Sequence, residues 1–336
     1  MHNTKIRLTK EEKYLDKLYD EFKSILKRHI PNLMIESCGY SGSNFDAKLS
    51  DKNKLFIGSD YFFNKGKKFV HWTSIQNLMS ILNYREFRFY NLHNSSDEKE
   101  FKYAAQQFGI TNESIEYSKS YLYTLSFCES KEITNEYLWT EYGKDYSGVA
   151  IEFEIVNDPQ EWKNYMLSQV YYQIPAFVSK LKEEFEMFKN KYPGATAHID
   201  LGKLIAFHKQ KKFSKELEIR IATYYPFKNV QEIEKYCNTE FRFEKDRPRE
   251  TNYFGLKLWV NSDSPFIREE NPQYDRSLNL EKDYFIHNPK IKITNIYFGK
   301  NCGISSEEFI KFWGSLNRIV KFKLGYNINI EPNLYG

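Results

Sequence analysis

Two glutamates and an arginine alternate in Glu216-Leu217-Glu218-Ile219-Arg220. On a strand, where side chains point to opposite faces in turn, the three share one face. Carboxylates fixed there can stabilise a cation that develops in a transition state, while the guanidinium keeps its neighbour ionised. The plainer reading is a solvated, salt-bridged strand face. A second candidate is His71-Trp72-Thr73, at a strand end just before a helix. A histidine there can present a ring nitrogen to a cleft, or simply bond backbone. Asp97 and Glu100, three apart at a helix start, could join Glu216 and Glu218 around Mg²⁺ as in a nuclease, or serve only as helix-terminal charges. Ser126-Phe127-Cys128 ends a predicted strand, and a nucleophilic Cys128 would want a base that the sequence does not supply. Trp139 and Tyr142, at i, i+3 spacing, read as helix core. His198 and His208 are ten apart, which is not a metal spacing.

The elements that must position these groups follow from periodicity and caps. Thr9-Lys10-Glu11-Glu12 is a capping box, followed by Leu15, Leu18, Phe22, Ile25 and Leu26 at helical spacing until Pro31. Residues 31–66, rich in glycine and polar residues, predict loop with short strands. Lys68–His71 is a short strand, and Thr73 or Ser74 caps a helix carrying Ile75, Leu78, Ile81 and Leu82. Further strands are predicted at Phe87–Phe89, Tyr121–Phe127, Gly148–Ile155, Glu218–Tyr224, Phe254–Val260 and Ile291–Phe298, with a helix over Thr134–Tyr142. Residues 157–213 predict a long helical insertion broken at Pro175 and Pro193, and 237–253 a charged loop. A helix opens at Ser305 and runs through Leu316, and a last strand region spans Ile319–Ile330. Strands outnumber βαβ units and no G-x-G-x-x-G follows a strand, so the expected class is α+β. The expected organisation is an N-terminal helical extension over 1–66 and a main domain over 67–336 with its insertion at 157–213.

The 336 residues carry 49 Lys and Arg against 45 Asp and Glu, a net charge of +4. That excludes a strongly basic nucleic-acid coat and an acidic tail protein, but not a local patch. No run approaches 18 apolar residues, so no membrane helix is expected, and the N-terminus lacks the apolar core of a secretory signal. Four cysteines without a C-x-x-C predict reduced thiols in a cytoplasmic protein.

In order, the motifs resemble a bacterial family, domain of unknown function 2971, over about residues 67 to 300. The matching features are His71-Trp72-Thr73, Leu78 to Leu82, Phe87-Arg88-Phe89, Asp97 with Glu100, Ser126-Phe127-Cys128, Trp139 to Tyr142, and Gly148 to Phe153. Lys212-Phe213 with Glu216, Glu218 and Arg220, and the strand Ile293 to Gly299, complete the series. That family in turn resembles the ADP-ribosyltransferase fold in layout, which implies a split, mostly antiparallel sheet. The resemblance implies that His71 binds an NAD⁺ ribose and that Glu218 is the catalytic carboxylate. Glu216 would help to position the acceptor, and Ser126 would support the split. Trp72, Thr73, Arg88, Tyr90 and Arg220 complete the implied NAD-binding set, with Trp72 or Tyr90 stacking on nicotinamide. The implied activity is that of an NAD-dependent ADP-ribosyltransferase or NAD glycohydrolase, a bacterial toxin or antiphage defence effector needing no metal and no membrane. Its acceptor would be protein or nucleic acid, and a regulatory partner protein could hold it in check. The alternatives are a non-catalytic nucleotide- or partner-sensing module and a metal-dependent nuclease.

Overall fold

The computed structural model describes residues 9–49, 56–92, 98–108, 121–163, 165–224, 237–244, 247–261, 263–264, 284–303 and 306–331. Six α-helices are used below: α1 (Lys10–His29), α2 (Ile75–Tyr84), α3 (Glu98–Phe108), α4 (Glu136–Glu141), α5 (Ala176–Lys191) and α6 (Ser306–Leu324). The strands are β1 (Ile35–Ser41), β2 (Asn44–Leu49), β3 (Lys68–Thr73), β4 (Glu86–Asn91), β5 (Leu122–Glu129), β6 (Val149–Ile155), β7 (Tyr165–Gln169), β8 (Thr196–Asp200), β9 (Ile219–Tyr224), β10 (Cys237–Glu244), β11 (Arg247–Lys257), β12 (Ile291–Phe298) and β13 (Asn329–Glu331). All pairings are antiparallel except β2 with β8 and β12 with β13. The class is α+β, as the strand-rich order predicts. Among the described residues, no helix is long and apolar enough to cross a membrane.

The large sheet runs β10-β11-β4-β5-β3-β6-β12-β13, with β9 and β7 branching from β5. The branching creates the feature that matters. At its start β5 pairs with β4 through Tyr90↔Thr124 and Asn91↔Tyr123. At its end it pairs with β3 through Phe69↔Glu129 and Val70↔Cys128. Between those contacts β3 and β4 part, and Ser126 sits in the gap. On the other edge β9 follows β5 from Leu122 to Phe127. Two short strands flanking α2 set this geometry: Ser74 caps the helix by accepting from the Asn77 N–H at 3.1 Å, and Arg85 ends it in a left-handed conformation. Leu78, Ile81 and Leu82 then face the core, and α6 contributes Leu316, Val320 and Leu324 to it.

A second core joins α1, β2, α5 and the segment around residues 201–207. Leu18, Phe22 and Leu26 meet Phe45, Leu181, Phe188 and Phe207 there. The capping box at Thr9 forms with both of its reciprocal bonds.

Four expectations are corrected. Residues 157–213 are not one helical stretch: only α5 is α-helical, β7 lies in the large sheet, and β8 pairs with β2. The apolar run Tyr165-Met166-Leu167 is buried against β9, and burial outweighs the helical character of its neighbours. Residues 237–253 are not a loop, because β10 and β11 form a hairpin there. The alternation Glu240-Phe241-Arg242-Phe243-Glu244 is a strand period hidden among charges. The first half of Ile319–Ile330 is helix: α6 continues to Leu324, its buried Leu316, Val320 and Leu324 recurring every four residues, and only β13 is strand. Finally, Glu216, Glu218 and Arg220 do not share one strand. Glu216 closes a 3₁₀ turn (Lys211–Glu216), Leu217 is left-handed at φ 47°, and β9 begins at Ile219.

Candidate active site

A cavity of about 140 Å³ lies at the split. His71 and Trp72 of β3, Ser126 and Cys128 of β5, Tyr142 after α4, and Lys209, Glu216 and Glu218 line it. A cavity of about 150 Å³ accepts one benzene ring, so this space suits a single ring. A larger cavity of about 520 Å³ opens between the end of α1 and the start of α5, beside Leu33, Asp60, Tyr171 and Phe177. None of the motif residues lines it.

Glu216 and Glu218 are both buried and share one cation. Lys209 Nζ lies 2.6 Å from Glu216 Oε2 and 2.7 Å from Glu218 Oε2. Arg220 grips Glu218 in a two-pronged bond, Nε to Oε1 at 2.6 Å and Nη2 to Oε2 at 3.2 Å, and donates from Nη1 to the Ala206 carbonyl at 2.6 Å. The backbone N–H of Glu218 donates to the Tyr172 hydroxyl at 3.0 Å. Glu216 Oε1 accepts from the Tyr142 hydroxyl at 2.5 Å. Two carboxylates and two cations therefore cancel. Burial opposes the charge on Glu218, but Arg220 and Lys209 outweigh it and hold the carboxyl well below the ordinary range. Two cations hold Glu218 through three contacts, two on Oε2 and one on Oε1, whereas Glu216 meets one cation at Oε2 and one phenol at Oε1.

His71 is defined by its partner. Its Nδ1 lies 2.9 Å from the Ser126 carbonyl, which can only accept, so Nδ1 carries the hydrogen. Burial lowers its pKa, against the opposing pull of that carbonyl, so the ring is neutral at pH 7 and Nε2 keeps its lone pair. Trp72 is the orphan of the lining: its Nε1–H is buried with no acceptor among the described residues, and a ligand oxygen would satisfy it. Cys128 donates to the Glu216 carbonyl at 3.1 Å, and burial plus the nearby carboxylates pushes its thiol far up, which removes it as a nucleophile. Burial and the bond to Glu216 raise the Tyr142 phenol as well, so it stays a donor.

An unusual turn follows Tyr142. Lys144, Asp145 and Tyr146 have φ of 51°, 51° and 62°, three left-handed residues in a row. Each such residue costs about 1–2 kcal/mol. The Tyr146 ring repays part of that by stacking on Trp139, centroids 5.6 Å apart and planes 5° apart. Asn301 adds its backbone N–H to the Tyr146 carbonyl and its side-chain amide to the Asp145 carbonyl, each at 2.9 Å. Gly299 permits this approach, because a Cβ there would sit 2.1 Å from the Tyr146 carbonyl oxygen.

The structure thus brings His71, Trp72, Ser126, Glu216 and Glu218 to one cavity. Thr73, Arg88, Tyr90 and Arg220 do not line it. Thr73 accepts from Asn77, Arg88 lies over the Tyr253 ring at 4.4 Å, Tyr90 packs near Tyr253, and Arg220 is held by Glu218. The Trp72 and Trp139 rings meet edge to face, centroids 6.4 Å apart and planes at 85°. Asp97 and the side chain of Glu100 lie outside the described residues. Among those described, no group of three or more His, Cys, Asp or Glu side chains could hold a metal ion. Sequence reasoning missed Lys209 and misread Tyr142, which is not core but 44% exposed with its hydroxyl on Glu216.

The profile of a family described as "Protein of unknown function (DUF2971)" matches residues 138–221, which supports the family assignment. The matched stretch carries Tyr142, Lys209, Glu216 and Glu218, four of the cavity residues. No curated protein and no solved structure matches the chain.

Proposed function

We propose that the cavity is the site of an NAD⁺-cleaving enzyme, an ADP-ribosyltransferase or NAD glycohydrolase on an ADP-ribosyltransferase-like split sheet. One observation carries the reading: a neutral histidine from β3 and two glutamates before β9 line one ring-sized cavity at the sheet's split. The C–N bond between nicotinamide and C1′ of the ribose breaks, and its electron pair passes to the pyridinium nitrogen. Nicotinamide leaves neutral, so no general acid is needed. The cation left at C1′ resembles that of glycoside cleavage. A fixed carboxylate beside it acts without reorganisation, and such groups contribute about 10²–10³ in rate. Glu216, held by one cation and one phenol, is the carboxylate beside C1′, and Glu218, held by two cations, is a positioning residue that fixes Lys209. His71 Nε2 accepts from a ribose hydroxyl. Water or an acceptor on protein or nucleic acid then bonds to C1′ and releases a proton. In a bacterial cell such an enzyme acts as a toxin or antiphage effector.

A second reading is favoured by the complete internal neutralisation of the four charges: a nucleotide-sensing module that binds without cleaving. The full chain incubated with NAD⁺ labelled in its adenylate half, with and without cell lysate, separates them. Release of nicotinamide with free labelled ADP-ribose marks a glycohydrolase, and label on macromolecules marks a transferase. NAD⁺ binding without release overturns cleavage in favour of the sensor.

A further inference from the structure

The cavity admits one ring, so the rest of a dinucleotide must lie outside it. The 3₁₀ turn that ends on the lining residue Glu216 exposes Lys211, Lys212 and Lys215 around a half-buried Phe213. Phe213 links the cavity to this surface, with Lys209 Nζ 5.4 Å and Lys212 Nζ 4.6 Å from its ring centroid. Lys215 Nζ stands 6.0 Å from the ring of Tyr137, and that phenol feels both Glu216 and Lys209. Two rings and two exposed ammonium groups therefore adjoin the glutamates. Glu141 faces Tyr137 from α4, which leaves the lysine side as the one suited to anions. The arginines expected to bind the nucleotide are engaged elsewhere: Arg220 holds Glu218, and Arg88 lies over Tyr253.

We propose that Lys212, Lys215, Phe213 and Tyr137 form a nucleoside diphosphate subsite beside the cavity, next to Lys209 and Glu216. It rests on the NAD⁺ reading for its place in a substrate, but its ligand is recognised by charge and stacking alone. The lysines pair with the two phosphates, and a base stacks on Phe213 or Tyr137.

Calorimetric titration with ADP tests this on the full chain. Wild type binds, the affinity weakens with salt, and both Lys212→Glu/Lys215→Glu and Phe213→Ser lower it at least tenfold. Charge reversal at Lys189, on α5, leaves it unchanged. Far-UV circular dichroism verifies that the exposed-site variants fold. No ADP binding, or equal binding by the double variant, overturns the subsite. ADP binding that depends on these lysines, in a chain that releases no nicotinamide, retains the subsite and overturns NAD⁺ cleavage. Nicotinamide release with an unchanged KM in the double variant does the reverse. A single-stranded DNA oligomer that binds through these lysines where ADP does not assigns the surface to nucleic acid and overturns the nucleotide subsite.

Discussion

The imidazole Nδ1 of His71 lies 2.9 Å from the Ser126 carbonyl, across the gap where β3 leaves β5. A side chain there supplies a bond that the sheet ladder does not, and the same bond decides which ring nitrogen faces the cavity. Structure and chemistry at this position can be separated. His71→Ala leaves the carbonyl without its donor, a loss of about 1 kcal/mol, and lowers nicotinamide release by about 10²-fold or more. His71→Asn restores a donor but no ring lone pair, so urea unfolding moves back toward wild type while nicotinamide release stays low.

The two glutamates differ in what they cost. Glu216→Gln lowers nicotinamide release by about 10²–10³ with a smaller effect on the unfolding midpoint. Glu218→Gln leaves Arg220 buried against a neutral amide and destabilises the fold by about 3–5 kcal/mol. Paired measurements of chemical unfolding and nicotinamide release on the two variants reveal the split, and equal behaviour would sink the division of roles.

Acid acts in two windows. Burial, with the Arg220 charge nearby, pushes His208 down to about 3. The unfolded histidine titrates near 6.5, so the unfolded state holds more protons between the two values and stability rises with pH. Stability is therefore lost as pH falls from about 6.5 toward 3, and a His208→Gln variant flattens that limb. Glu218 is held low in the folded state, against about 4.3 unfolded. Its contribution is full above that unfolded value and disappears as pH falls further, so Glu218→Gln removes only the lower limb. Urea midpoints measured from pH 7 to pH 3 resolve both.

Two glycines predict opposite signs. Gly299→Ala forces a Cβ to 2.1 Å from the Tyr146 carbonyl and 2.6 Å from its carbon, which are backbone atoms that cannot swing aside. The left-handed turn must shift, so the variant melts lower and loses the Tyr142–Glu216 bond. Gly314→Ala, inside α6 with open space around the new Cβ, gains about 1 kcal/mol. Thermal melts of both variants check the pair.

Local signals made part of this legible in the sequence. Ser74 and the apolar positions of α2 located the strand–helix–strand unit, and the order of His71, Ser126, Glu216 and Glu218 pointed to residues that meet in one cavity. Lys209 stayed hidden because four lysines crowd residues 209–215, and nothing local tells a buried ammonium from exposed ones. The i, i+3 spacing of Trp139 and Tyr142 places both on one helix face but does not tell how deep the second ring sits at the helix end. The Trp139 ring is buried, whereas Tyr142, still near-helical at φ −107° and ψ −26°, is 44% exposed and extends its hydroxyl to Glu216. The bend at Leu217 was likewise invisible, since a leucine at positive φ has no sequence signature.

The shared core of α1 and α5 has a kinetic meaning during synthesis. Phe22 meets Phe45 of β2 early in the chain, but it also stacks on Phe185, and Arg28 and His29 both bond Glu184, so the first helix finds its partner helix only about 150 residues later. At about 5–20 residues per second on the ribosome, its apolar stripe waits roughly 7–30 s for cover. Rare codons placed before residue 176 would prolong the time that the face meant for α5 stays uncovered.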